Sequence, residues 1–170
     1  MPIRNSAPSS GPYFSRNKQP NTDKLPIKQH NHDTLVKFTG SLVRRAQQRH
    51  VAVWLSEVSA EITSVQYAAL EILQRTPGVN QRQLGDELDV DRSTVADLVA
   101  RMVRNGLIER SDDPVDRRSY VLSLAAAGSN QLAALRPRVE EVERILTSKL
   151  TPRESVELRR LLLALLPQGT

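Results

Sequence analysis

The hydrophobic period of this chain switches from helix-like to strand-like and back, and that switch bounds the fold more tightly than any other feature. From Thr34 onward, apolar residues recur at spacings of three and four, as amphipathic helices require. Leu107-Ile108-Glu109-Arg110 and Tyr120-Val121-Leu122-Ser123-Leu124 then read as two short strands, the second alternating with a period of two. Beyond Ala125 the helical spacing returns in Leu132, Leu135, Val139, Val142 and Leu146, which step like a packed seam. Residues 111–118 between the strands are polar and turn-rich, the composition of a hairpin loop. The expected fold is mainly α with a small β-hairpin.

Local signals divide the helical part. Leu35–Ala60 carries Leu35, Phe38, Leu42, Ala46, Val53 and Trp54 on one helical pattern. Thr63-Ser64-Val65-Gln66 spells a capping box and opens a helix through Ala69, Leu70, Ile72 and Leu73, which Pro77-Gly78 ends. Asn80-Gln81-Arg82-Gln83 repeats that grammar for a short helix with Leu84 and Leu88. After a break at Asp89-Val90-Asp91, Asp91 caps a fourth helix that runs to Asn105, with Val95, Leu98, Val99 and Met102 inward and Gly106 as its stop. Thr151-Pro152-Arg153-Glu154 opens the last helix, whose Leu161-Leu162-Leu163-Ala164-Leu165-Leu166 is apolar around more of its girth than one contact face needs. A protein of this size hides such excess against a partner subunit.

Composition narrows the function. Cysteine is absent among the 170 residues, which excludes disulfides, thiolate zinc sites, cysteine nucleophiles and thiol redox sensing. His30 and His32 lie together near the N-terminus and His50 stands alone, so no metal cluster is expected. No nucleophile–base set or phosphate-cradling glycine loop appears, so neither an enzyme nor a cofactor is expected. No apolar run reaches the roughly 18 to 20 residues of a membrane span, and none follows the first basic residue as a secretory signal would. A cytoplasmic address is expected. Residues 1–33 hold five of the ten prolines and five Lys or Arg against two Asp, and read as a disordered basic tail. Such a tail either strengthens binding to DNA or a partner, or is a leader without function.

Helix, short helix, brief break, helix and hairpin is the order of a winged helix-turn-helix, in which one helix enters the major groove and the preceding one braces it. On the fourth helix the face opposite the apolar stripe carries Ser93, Thr94, Asp97, Arg101 and Arg104. Arg92, in the first turn, is placed either to reach a phosphate or to fold back on the body. Residues 80–118 hold seven Arg against nine Asp or Glu, so binding must rest on where the arginines point rather than on bulk charge.

The stretch Asp112-Asp113-Pro114-Val115-Asp116-Arg117-Arg118-Ser119-Tyr120-Val121-Leu122-Ser123-Leu124, followed by Ala125-Ala126-Ala127-Gly128, resembles the wing signature of the MarR family of transcription factors. Thr63–Leu73, Gln83–Leu88, Asp91–Asn105 and Gly106-Leu107-Ile108 stand around it in the family's order. The likeness covers about residues 35–167 and departs at Ala125, where the family usually has a capping Thr. It implies a homodimer with one winged helix-turn-helix per subunit on each half of a palindromic operator in double-stranded DNA. Residues 34–170 then form a single domain, with dimerisation helices over 34–62 and 125–167 and the winged helix-turn-helix over 63–124. In the wing, Arg118 would enter the minor groove, Asp116 would hold its guanidinium, and Arg117 would meet a phosphate.

The first long helix aligns Val43, Gln47, His50 and Trp54 on one stripe, with Arg44 and Arg45 flanking its start. An aromatic carboxylate needs a guanidinium, a ring-sized apolar wall and a hydrogen-bond partner. Arg44, Trp54 and His50 supply these, and Tyr67 closes the pocket. The pattern resembles the branch of the family that responds to aromatic acids through an Arg and a His on this helix. Three functions follow: a repressor released by a small aromatic acid, a constitutive DNA-binding or DNA-organising protein whose cleft is filled by side chains, or a winged helix used for protein contact.

Overall fold

The computed structural model describes residues 37–113 and 119–166. The basic segment over 1–33 and the wing residues 114–118 lie outside that range. Six helices and one hairpin follow in order: α1 (Thr39–Glu57), α2 (Ser64–Arg75), α3 (Gln81–Leu88), α4 (Arg92–Arg104), β1 (Ile108–Asp112), β2 (Tyr120–Leu124), α5 (Ala126–Thr147) and α6 (Pro152–Leu165).

Helix starts follow local chemistry. Thr63, Asn80 and Thr151 each accept a hydrogen bond from the backbone three residues on, and Gln66, Gln83 and Glu154 each reach back to the cap's N–H. These reciprocal boxes satisfy amide donors that a helix start otherwise leaves orphaned. The break between α3 and α4 turns on Asp89, whose left-handed φ of 54° ends α3. Gly106 ends the α4 segment at φ 69°, a conformation open to glycine without steric cost. Asn105 is the C-cap of α4 rather than its last helical residue.

The hairpin pairs antiparallel, with Ile108 opposite Leu124 and Asp112 opposite Tyr120. β1 is thus longer than its apolar residues suggest, because Ser111 and Asp112 extend the ladder through backbone groups alone. The other edge of β2 is tied as well. Leu122 donates its N–H to the Val79 carbonyl at 2.9 Å and accepts from Gly78 N–H at 3.0 Å. Its side chain is fully buried. The wing is therefore fastened to the segment that leads into α3.

The core gathers Leu70, Leu73, Leu84, Met102, Ile108 and Leu132, drawing on α2 through α5. α1 packs along α5 but seals only Trp54 completely, while Leu42, Val43, Val51 and Leu55 stay exposed. α6 buries none of its residues, and Leu158 to Leu166 include six leucines between 41% and 62% exposed. The first and last helices thus carry apolar surface that the other described residues do not cover.

The start of α5 is set by one close approach. The Leu107 carbonyl accepts from Ala125 N–H at 3.1 Å. A Cβ on Gly128 would lie only 2.0 Å from that carbonyl oxygen. Gly128→Ala is therefore expected to cost about 3 kcal/mol, the upper end of overpacking, read as a lower urea midpoint. Ala125 caps α5 without a side-chain hydrogen bond. Ala125→Ser should restore one and stabilise by roughly 0.5 to 1 kcal/mol in the same titration.

Candidate functional site

α4 divides cleanly. Val95, Leu98, Val99 and Met102 are buried, whereas Arg92, Ser93, Thr94, Asp97, Arg101 and Arg104 are exposed. The buried stripe holds the helix rigidly on the body and turns its polar face outward. Asp91 organises the first turn, accepting from the Ser93 and Thr94 backbone N–H groups at 2.9 and 3.0 Å. The Ser93 and Thr94 hydroxyls also donate to its carboxylate, so their oxygens remain to face a partner as acceptors. These hydroxyl bonds, reinforced by the backbone donors, hold the Asp91 carboxyl well below the usual carboxylate range.

The acidic residues of this segment are partly occupied with structure. Glu87 pairs with Arg75 at 2.6 Å, and Asp86 lies 3.9 Å from Arg82. Asp113 accepts from the Ser119 hydroxyl at 3.0 Å. Arg92, Arg101 and Arg104 form no ion pair among the described residues. Their charge is open to a polyanion even though the segment is net negative. Asp116, Arg117 and Arg118 lie outside the described residues, and β1 and β2 lead directly to them.

A second cluster lies between α1 and α2. His50 and Trp54 rings stand 6.0 Å apart, and Trp54 meets Tyr67 edge-on at 5.9 Å. Three of the four residues expected for an aromatic ligand are thus brought together. Arg44 is exposed and donates to Gln48 one turn on, at 3.1 Å. Trp54 Nε1 donates to the Ile62 carbonyl at 2.7 Å, and Tyr67 donates to Glu71 at 2.7 Å. Burial, with the Glu71 hydrogen bond and charge, pushes the Tyr67 hydroxyl up, against a smaller opposing effect of Arg136. It stays protonated as a donor at neutral pH.

The partners of Tyr67 escape sequence reasoning. Arg136 on α5 reaches Glu71 at 3.2 Å and Gln74 at 3.1 Å, across more than sixty residues of chain. A slot of about 140 Å³ lies beside Trp54, lined by Val51, Leu55, Ser59, Ala60, Thr63 and Ser64. It is close to the roughly 150 Å³ of an apolar cavity that takes up benzene, but Arg44, His50 and Tyr67 are not part of its wall.

Comparison with known proteins is consistent across sequence and structure. The MarR family model matches residues 62–120, from the end of the α1–α2 turn through the first residue of β2. The transcriptional regulator HosA of Escherichia coli O111:H- is 32% identical over 112 residues, which is 66% of this chain and 82% of HosA. The PcaV transcriptional regulator of Streptomyces coelicolor, solved in complex with its natural ligand, superposes with a TM-score of 0.75 at 35% identity, covering 76% of this chain and 92% of that one. BpsR of Bordetella bronchiseptica, whose DNA binding is regulated by 6-hydroxynicotinic acid, superposes at 0.73 with 27% identity over 75% of this chain and 92% of its own.

The Asp91 cap yields a pH expectation. Its folded-state pKa lies below the unfolded value, so its contribution is complete above the unfolded carboxylate range, about 3.9, and fades only as pH falls through the folded value. Amide exchange protection at Ser93 and Thr94 should be the same at pH 7 and pH 5. Asp91→Ala should lower it at both.

Proposed function

This chain belongs to the MarR family of transcriptional regulators, and on that footing we propose that it is a homodimeric repressor released from a palindromic operator by a small aromatic acid. The observation that carries the reading is the divided face of α4: a sealed apolar stripe behind, six polar side chains in front, and a hairpin fastened alongside. A helix held so firmly suits the major groove, about 12 Å wide. On the likeness to the family's wing, Arg118 enters the neighbouring minor groove, Asp116 holds its guanidinium and Arg117 meets a phosphate. Ser93, Thr94, Asp97, Arg101 and Arg104 then read bases or backbone.

A second subunit accounts for the exposed leucines of α6 and the uncovered apolar residues of α1, which one chain leaves in water. A dimer also sets the half-site spacing that a palindrome requires. The ring series His50, Trp54 and Tyr67 supports an aromatic ligand, with Arg44 as the guanidinium for its carboxylate. Regulation of BpsR by 6-hydroxynicotinic acid favours the same ligand class. A DNA-binding role favours a cytoplasmic address.

One observation favours the constitutive reading instead. The Trp54 and Tyr67 polar groups already have partners inside the subunit, and a filled aromatic cluster needs no ligand.

Fluorescence anisotropy on a palindromic fragment upstream of the protein's own gene separates the readings. Tight, salt-dependent binding reversed by one hydroxybenzoate or cinnamate is expected. Tight binding that no acid disturbs would leave the constitutive protein, and no binding would remove the repressor altogether. Arg118→Ala removes one charged contact from each half-site and should weaken operator binding roughly a hundredfold, about tenfold per contact. Arg44→Ala should leave operator affinity unchanged and abolish release by the acid.

A further inference from the structure

One concavity among the described residues lies neither on the outer face of α4 nor at the aromatic cluster. It is a cleft of about 710 Å³ bounded by the start of α3, the first turn of α4 and the outer part of the hairpin. Its walls carry three guanidiniums, from Arg82, Arg92 and Arg110, against one carboxylate, from Asp86. That carboxylate lies 3.9 Å from Arg82, while Arg92 and Arg110 have no acidic partner among the described residues.

The strand pleat explains how Arg110 comes to be there. Alternate residues of β1 share a face, so Arg110 continues the side on which Ile108 is buried. On β2 the same face carries Leu122, buried, and Tyr120, half exposed. The inner face of the hairpin thus runs out of the core through Arg110 and ends at the pair of Asp112 and Tyr120. The Arg110 guanidinium stands 4.6 Å over the Tyr120 ring, a cation–π stack that narrows the arginine's rotamers and keeps its N–H fork available.

We propose that this cleft is a clamp for the sugar-phosphate backbone, in which Arg82, Arg92 and Arg110 converge on one strand of the operator. The proposal rests on the DNA-binding reading above and adds a site to it. A duplex that takes α4 in its major groove and the wing in the adjacent minor groove must pass one phosphate ridge between them, and the cleft separates those two elements. Guanidinium forks match phosphate oxygens in pairs. The contacts position the protein without reading bases. Tyr120 acts through Arg110 as a positioning residue. The clamp also answers how a reader segment with an excess of acids holds a polyanion: three of its seven arginines are gathered in one concavity.

The test is the salt dependence of operator binding by the full-length protein, measured for Arg82→Gln, Arg92→Gln and Arg110→Gln beside wild type. Arg144→Gln, which removes the same charge from α5, serves as the control. Each clamp variant removes two guanidiniums from the homodimer, one per half-site, and should lower the slope of log affinity against log salt by about 1.8, which is about 0.9 per arginine. The loss of wild-type affinity between 50 and 200 mM salt then shrinks by about 3.5-fold per arginine. Discrimination between the operator and a scrambled duplex should not change. Tyr120→Phe should match wild type, and Tyr120→Ala should weaken binding only while Arg110 is present. Wild-type slopes in all three variants, with tight operator binding intact, would overturn the clamp and leave the DNA-binding reading standing. Loss of sequence discrimination would overturn it in favour of base contact. A wild-type protein without salt-dependent DNA binding would overturn the DNA-binding reading, and the clamp with it.

Discussion

Leu122 is the residue on which the geometry of the reader depends. Its side chain is sealed in the core while its N–H and C=O are both bonded to residues 78–79. One residue thus ties the hairpin to the helix pair by apolar burial and by two backbone hydrogen bonds. An isolated two-stranded hairpin is marginal in water, and the strands of this one are held on the body because the second edge of β2 is also paired. Asn80 bridges Val121 and at the same time caps α3. The orientation of wing to helix pair is then set by the same few residues that start α3. The cleft between them has fixed walls for that reason.

The electrostatics work by placement. A segment with more acids than arginines gains a cationic face because several acids are taken up by caps and pairs while the arginines around α4 are left open. Asp91 shows the principle most directly. Its depressed carboxyl belongs to the folding of the first turn, and it draws the Ser93 and Thr94 hydroxyl protons away from any partner. Those residues expected as donors and acceptors therefore present acceptors.

The aromatic cluster couples two parts of the chain that a regulator needs coupled. Trp54 belongs to α1, Tyr67 to α2, and Arg136 to α5, with Glu71 shared between Tyr67 and Arg136. Movement of α1 against α2 would disturb a buried ring contact and a buried indole hydrogen bond together. Unpaired buried polar groups cost about 1–3 kcal/mol, so the cluster favours discrete arrangements over gradual deformation. That property suits a switch and equally suits a locked scaffold.

The sequence by itself determined what is local. Thr63 with Gln66, Asn80 with Gln83, and Thr151 with Glu154 lie three residues apart, so their capping boxes were legible, as were the α4 stripe and the alternation of β2. The MarR likeness was legible because the wing carries the motif from Asp112 through Leu124 and departs from it only at Ala125. Tertiary structure decided the rest. Arg136 meets Glu71 only after α5 folds back on α2, and Arg110 meets Tyr120 only once the strands take their register. The apolar spacing of α1 announced a helix, yet Leu42 and Val43 stay exposed because none of the other described residues seals them. Nor could spacing reveal that Gly128 is required, since the atom that forbids a side chain there is the backbone oxygen of Leu107. Helix caps and periodicity are short-range energies written in neighbouring letters. Contacts between distant segments depend on the path of the whole chain.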